Sequence, residues 1–236
     1  MERERFRVLN VTRVKLSPNV LLRNARSDSP IVMSLYQLCL SSQFSLQKRV
    51  CWHQQMKREE LLTAMILVKV SGELHRRFGV NLASRRQDTL VPALDKFAAR
   101  VGRSVLIGNV REFFDVLTEA FRINEVVYRE IAPSLRHGFL LSLAKVFASH
   151  QDFWADAEFR VPKELRRKLG MFAINDPHIA TLCSSSGSTI NILSAMLVDH
   201  FNSGKRSKRL RPFDVTREQI EEERVDAETE EELVQQ

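Results

Sequence analysis

Between Leu61 and Val70 the chain reads LLTAMILVKV, and only Thr63 and Lys69 interrupt the apolar side chains. A helix built from this stretch is hydrophobic on nearly every side, and a helix of that kind belongs inside a fold rather than on its surface. The flanks carry helix-end signals. Glu59 and Glu60 stand where an acidic first turn suits the helix dipole, His75, Arg76 and Arg77 where a basic last turn does, and Gly79 follows as a stop. The expectation is one helix over Lys57 to Gly79, on the order of 30 Å long at 1.5 Å per residue, with the rest of the chain wrapped around it.

The flanking sequence supplies the wrapping. Ser17-Pro18 and Ser29-Pro30 each read as an N-cap followed by proline at the first helical position. Further apolar faces at helical spacing are expected in TLVPALDKFAARVG, from Asn109 to Ile123 and from Ser134 to His150, with Pro133 breaking the segment between the last two. The fold class expected is all-α, a multi-helix globular bundle around a buried central helix, with a short extended lead-in rich in β-branched residues over 1–16. The helical domain spans 17–204, and 205–236 form a basic linker and an acidic tail. Phe153, Trp154 and Phe159 read as residues sealing the helical core, since large aromatics are mostly buried, rather than as a platform for stacked bases. Trp52 and His53 read as a packed aromatic beside a solvent-facing imidazole.

The run FRVLNVTRVKLSPNVLLRNA places Phe6, Leu9, Asn10, Leu16, Ser17, Leu22, Asn24 and Ala25 in the order Phe-x-x-Leu-Asn, Leu-Ser, Leu-x-Asn-Ala. This pattern resembles a signature of the ParB/sulfiredoxin-like family of bacterial proteins that includes GmrS-type restriction subunits. MKREELLTAMIL is similar to that family's Arg-x-x-Asp/Glu-Glu-Leu helix, and a Ser/Thr-rich turn before the last helix also recurs there. The resemblance implies the helical half of such a protein, following a nucleotide-handling half that carries Asp-Gly-Gln-x-Arg. That motif is missing from this sequence, and Thr12, Arg13 and Val14 stand where the family has small residues. It therefore implies a non-catalytic binding or assembly subunit of a bacterial defence or plasmid system, with a fragment or separately encoded half of a nuclease-type enzyme as the alternative.

The residues point the same way independently. Gly-x-Ser-x-Gly, His-Glu-x-x-His and a glycine-rich dinucleotide loop are all missing, and only eight glycines occur in the chain. No catalytic residue and no cofactor is assigned. The three cysteines, Cys39, Cys51 and Cys183, are far apart and set among apolar residues, as reduced buried thiols are, and no Cys-x-x-Cys pair suggests a metal. No apolar run reaches the ~18 residues of a membrane span, and MERERFR lacks the apolar core of a signal peptide, so a soluble cytoplasmic chain without membrane contact is expected.

Charge is the remaining signal. The formal net charge of +7 divides unevenly, because ten acidic residues against Arg217 and Arg224 give the tail from Asp214 a charge of −8, leaving +15 on the body. A body that basic attracts polyanions, nucleic acid first among them. Helical spacing groups Lys163, Arg166 and Arg167 on a short basic helix opened by Pro162. Lys205, Arg206, Lys208, Arg209 and Arg211 form a second cluster just ahead of the acidic tail. Ser186, Gly187, Ser188 and Thr189 make a weak phosphate-binding candidate at a helix start, without the lysine of a P-loop.

Overall fold

The structure is a computed structural model that describes residues 16–80, 87–128, 132–184, 188–204 and 210–212. The expected lead-in up to Lys15, and the tail from Asp214 onward, lie outside the described residues. Among the described residues nine α-helices dominate, and extended structure is confined to two pairs of two-residue strands.

The two Ser-Pro pairs act as their chemistry predicts. Helix α1 (Pro18–Ala25) opens on Ser17, whose hydroxyl accepts from the Val20 N–H at 3.5 Å, and α2 (Pro30–Leu40) on Ser29, which accepts from Val32 at 3.2 Å. A carboxylate reinforces the second cap. Asp95 of α4 (Gln87–Val101) accepts from the Ser29 hydroxyl at 2.6 Å and from the Ile31 N–H at 2.9 Å, placing an anion at the positive end of α2.

The central helix is shorter than its sequence suggests. Strand β2 (Leu62–Thr63) pairs in parallel with β1 (Val50–Cys51), Val50 opposite Leu62 and Cys51 opposite Thr63. Helix α3 therefore begins only at Ala64, with the Thr63 hydroxyl capping Ile66 at 3.3 Å, and ends at Leu74. Its 11 residues span about 16 Å rather than 30. The apolar run is interior as expected: Leu61, Leu62, Ala64, Leu67, Val68 and Val70 are fully buried. Beyond Leu74 comes a single tight turn over Arg76–Phe78, then Gly79 at φ 83, a left-handed conformation that glycine adopts without steric cost.

His75 is not a cationic partner of the helix dipole. It is completely buried, Nδ1–H donates to the Ser71 carbonyl at 2.7 Å, and Nε2 accepts from the Asn109 amide at 3.0 Å, so both ring nitrogens are satisfied in the neutral form. Burial pushes its pKa down to about 4. Asn109, on α5 (Arg103–Phe121), also donates to the Ala157 carbonyl at 2.8 Å and accepts from the Phe159 N–H at 2.9 Å. One histidine and one asparagine thus tie α3 and α5 to the hairpin of β3 (Trp154–Ala155) and β4 (Glu158–Phe159).

The interior has two buried axes. Helix α6 (His137–Ser149) is buried at ten of its 13 positions and packs between α3 and α9 (Ser188–Asn202). Its one buried hydroxyl is accommodated, since Ser142 donates toward the Gly138 and Ile190 carbonyls and Ser194 of α9 donates back toward the Ser142 carbonyl at 3.3 Å. Phe153, Trp154 and Phe159 close the end of this core, all buried, with the Trp154 indole N–H donating to the Phe147 carbonyl at 2.8 Å. Rings so placed offer no face to a stacked base. Helix α7 (Lys163–Gly170) crosses α5 closely at Gly170, where a Cβ would stand 3.0 Å from the Ala120 carbonyl oxygen. Helix α8 (Pro177–Ser184) completes the set.

Candidate functional site

Helix α7 sorts its basic residues into two kinds. Leu165 and Leu169 are buried, and Lys163 and Arg167 are exposed. Arg166 turns back onto α5, where it meets the Glu112 carboxylate and, at 3.1 Å, Glu119, while its Nε donates to the Val161 carbonyl at 2.9 Å. Its side chain is 19% exposed and that of Glu112 10%, so this pair fastens α7 to α5. The helical spacing that groups Arg166 with Lys163 and Arg167 is real, yet the arginine faces inward. Lys168 is also engaged, donating to the Phe201 and Ser203 carbonyls at the C-terminal end of α9. Exposed cations at this helix are therefore Lys163 and Arg167, with exposed Arg160 just ahead of Pro162.

Of the second basic cluster, Lys205, Arg206, Lys208 and Arg209 lie outside the described residues. Arg211 is exposed, and its carbonyl meets His150 Nε2 at 2.9 Å, which together with buried Leu210 fixes where the cluster ends. Ser186 and Gly187 are likewise outside the described residues, Ser188 opens α9, and Thr189 is half-buried in its first turn. A polar cavity of about 260 Å³ lies between α5 and the β3–β4 hairpin, with Asn109, Arg111, Glu112, Asp115, Glu158 and Arg160 in its walls. Burial raises the Asp115 carboxyl above the ordinary range, and Arg111 beside it works in the opposite direction. Its charges are mutually compensated, Arg111 by Asp115 at 3.9 Å and Arg160 by Glu158 at 3.7 Å.

A third grouping joins residues that the sequence reading keeps apart. Glu60 is not in a helix first turn. It lies in the loop before β2, 6% exposed, with Oε2 accepting from the Lys57 N–H at 2.6 Å and Oε1 3.2 Å from His53 Nε2. The imidazole is correspondingly not solvent-facing at that nitrogen: Nε2 is shielded from water and its approach to Glu60 lacks hydrogen-bond alignment. Cys51 completes the group, and its Sγ, a ring nitrogen of His53 and a Glu60 oxygen all lie within 4.8 Å of one another. Only the parallel pairing of β1 with β2 brings Glu60 back beside Cys51. The legible signal for it is the matched pair of short apolar segments, Val50-Cys51 and Leu61-Leu62, around a polar loop.

None of the cysteines is poised as a free nucleophile. Burial pushes the Cys39 thiol up to about 12 and Cys183 up to about 11, and Cys51 is raised by burial and secondarily by Glu60. No helix among the described residues is long and apolar enough to cross a membrane. Compared with protein-family models, with curated proteins and with solved structures, the chain finds no match in any of the three. The ParB/sulfiredoxin-like resemblance accordingly rests on the residues that carry it in this sequence.

Proposed function

We propose that this chain is a non-catalytic, cytoplasmic helical binding subunit that holds nucleic acid by its phosphates without strong sequence preference, and that assembles with a protein partner in a bacterial defence or plasmid system. The observation that carries the reading is the division of charge, +15 on residues 1–213 against −8 on the tail. Phosphate contacts need exposed cations, and Lys163 and Arg167 on the outer face of α7 supply them. Arg166 takes the supporting role, holding the helix at the angle that presents them. Lys205, Arg206, Lys208, Arg209 and Arg211 extend the basic character up to the tail, which competes for the same cations because it starts within a few residues of them. The bacterial setting comes from the family resemblance alone.

The test is a salt titration of the full chain and of residues 1–213 against one DNA duplex and one RNA. Counterion release gives a slope of log affinity on log salt near −0.9 per neutralised phosphate on duplex DNA, so binding falls steeply with salt. Removal of the tail tightens it. If neither form binds either nucleic acid at low salt, the nucleic-acid part of the reading is wrong and the basic body is a surface for protein docking or solvation.

A further inference from the structure

We propose that Cys51, His53 and Glu60 form a binding site for one divalent transition-metal ion, zinc by the chemistry of its donors. The site is separate from the basic face of α7 and does not depend on the function proposed for it. A thiolate sulfur, an imidazole nitrogen and a carboxylate oxygen are the three protein ligand types that zinc takes, and a set of three leaves one position of a tetrahedron for water. Bond lengths of about 2.0 to 2.3 Å put neighbouring donors of a tetrahedral zinc about 3.5 Å apart. The three atoms here lie within 4.8 Å of one another, little more than that spacing.

The three donors lie close together, and one of them is left without a hydrogen bond. His53 Nε2 is shielded from solvent and makes no hydrogen bond, although a carboxylate oxygen stands 3.2 Å away. A buried ring nitrogen left so is costly unless something else occupies its lone pair. Glu60 is oriented by its other oxygen, held by the Lys57 N–H at 2.6 Å, which leaves Oε1 turned to the histidine. Such outer support fixes a carboxylate for a metal. Cys51 Sγ meets the His53 carbonyl at 3.4 Å and the Glu60 carboxylate, weak thiol contacts that coordination replaces. On binding, the thiol releases its proton to water and the sulfur lone pair goes to the ion, with no change of oxidation state.

The scaffold behind the donors is firm. Cys51 is fixed in β1 opposite Thr63, and the Leu61 N–H donates to the Arg49 carbonyl at 2.8 Å, closing the loop that carries His53 and Glu60. Trp52, between two of the ligands, is buried edge-on against Tyr36 at a ring separation of 5.3 Å. The ion pins both ends of this loop at the entrance to α3.

Titration of the reduced, chelator-stripped full chain with Zn²⁺, and separately with Co²⁺, tests the site. One equivalent binds per chain, cobalt gives a sulfur-to-metal charge-transfer band with tetrahedral d–d absorption, and zinc raises the thermal midpoint. His53→Asn and Glu60→Gln each weaken zinc by more than about 100-fold, beyond what loss of a supporting group alone costs. Cys51→Ser removes the charge-transfer band, whereas His178→Asn, on the exposed surface, changes nothing. Cys51 is fully buried and its variant can misfold, so the other two, checked by circular dichroism in the metal-free state, carry the test. Failure of the folded wild-type chain to bind a stoichiometric ion at micromolar metal overturns the proposal. So does a cobalt spectrum without the sulfur band, or undiminished affinity in both His53→Asn and Glu60→Gln.

Discussion

Replacing Arg166 by methionine separates the two roles a basic residue on α7 can have. If the arginine serves phosphate, the substitution weakens nucleic-acid binding and leaves folding alone; if it fastens α7 to α5, the order reverses. Methionine keeps the apolar stem over the helix but removes the guanidinium that meets Glu112, together with the 2.9 Å bond to the Val161 carbonyl. Glu112, 10% exposed at its side chain, is then left with the Val161 N–H at 3.3 Å as a weak partner. Stranding one member of a buried pair costs about 3 to 5 kcal/mol, and the residual N–H bond puts the expected loss near the lower end, about 3 kcal/mol. The Glu119 leg adds little, since that carboxylate is 58% exposed and water screens it. Urea unfolding followed by circular dichroism measures the loss, and combining Arg166→Met with Glu112→Gln recovers much of it because no buried charge is left over. A destabilisation below about 1 kcal/mol, or a double variant no better than the single, refutes the fastening role.

Other outcomes follow from the same geometry. Leu67→Ala, at a fully buried position of α3, lowers stability by about 2 to 5 kcal/mol, and a midpoint shift no larger than that of an exposed control shows that the helix is not interior. His75 has a folded pKa of about 4, below its ordinary 6.5, so the unfolded chain takes up a proton first as pH falls. Its contribution is intact above pH 6.5 and is lost on descending from 6.5 to 4, about 3 kcal/mol in all. Unfolding free energies measured across that window, with His75→Gln as comparison, show a steeper decline in the wild type, and equal slopes count against the buried neutral ring. Lys163→Ala and Arg167→Ala leave stability within about 0.5 kcal/mol of wild type while reducing the salt slope of duplex binding by about 0.9 for each phosphate no longer neutralised. A slope unchanged by both removes α7 from the interface.

Local chemistry alone decides much of this protein. Apolar content over Leu61 to Val70 dictates an interior segment whatever surrounds it, and the Ser-Pro pairs at Ser17 and Ser29 start helices because cap and proline act within one turn. Gly102, at φ 98, ends α4 for an equally local reason. Tertiary structure decides wherever a residue's partner is distant in the chain. Glu59 and Glu60 resemble a helix first turn until β1 claims Leu62 and Thr63 and moves the helix start to Ala64. His75 resembles a dipole-matching cation until Asn109, 34 residues on, supplies the donor that keeps it neutral. Arg166 shares the spacing of Lys163 and Arg167, but Glu112, 54 positions earlier, turns it inward. Periodicity reports which face of a helix a side chain occupies. Whether that face meets water or an opposite charge is a property of the elements packed against it.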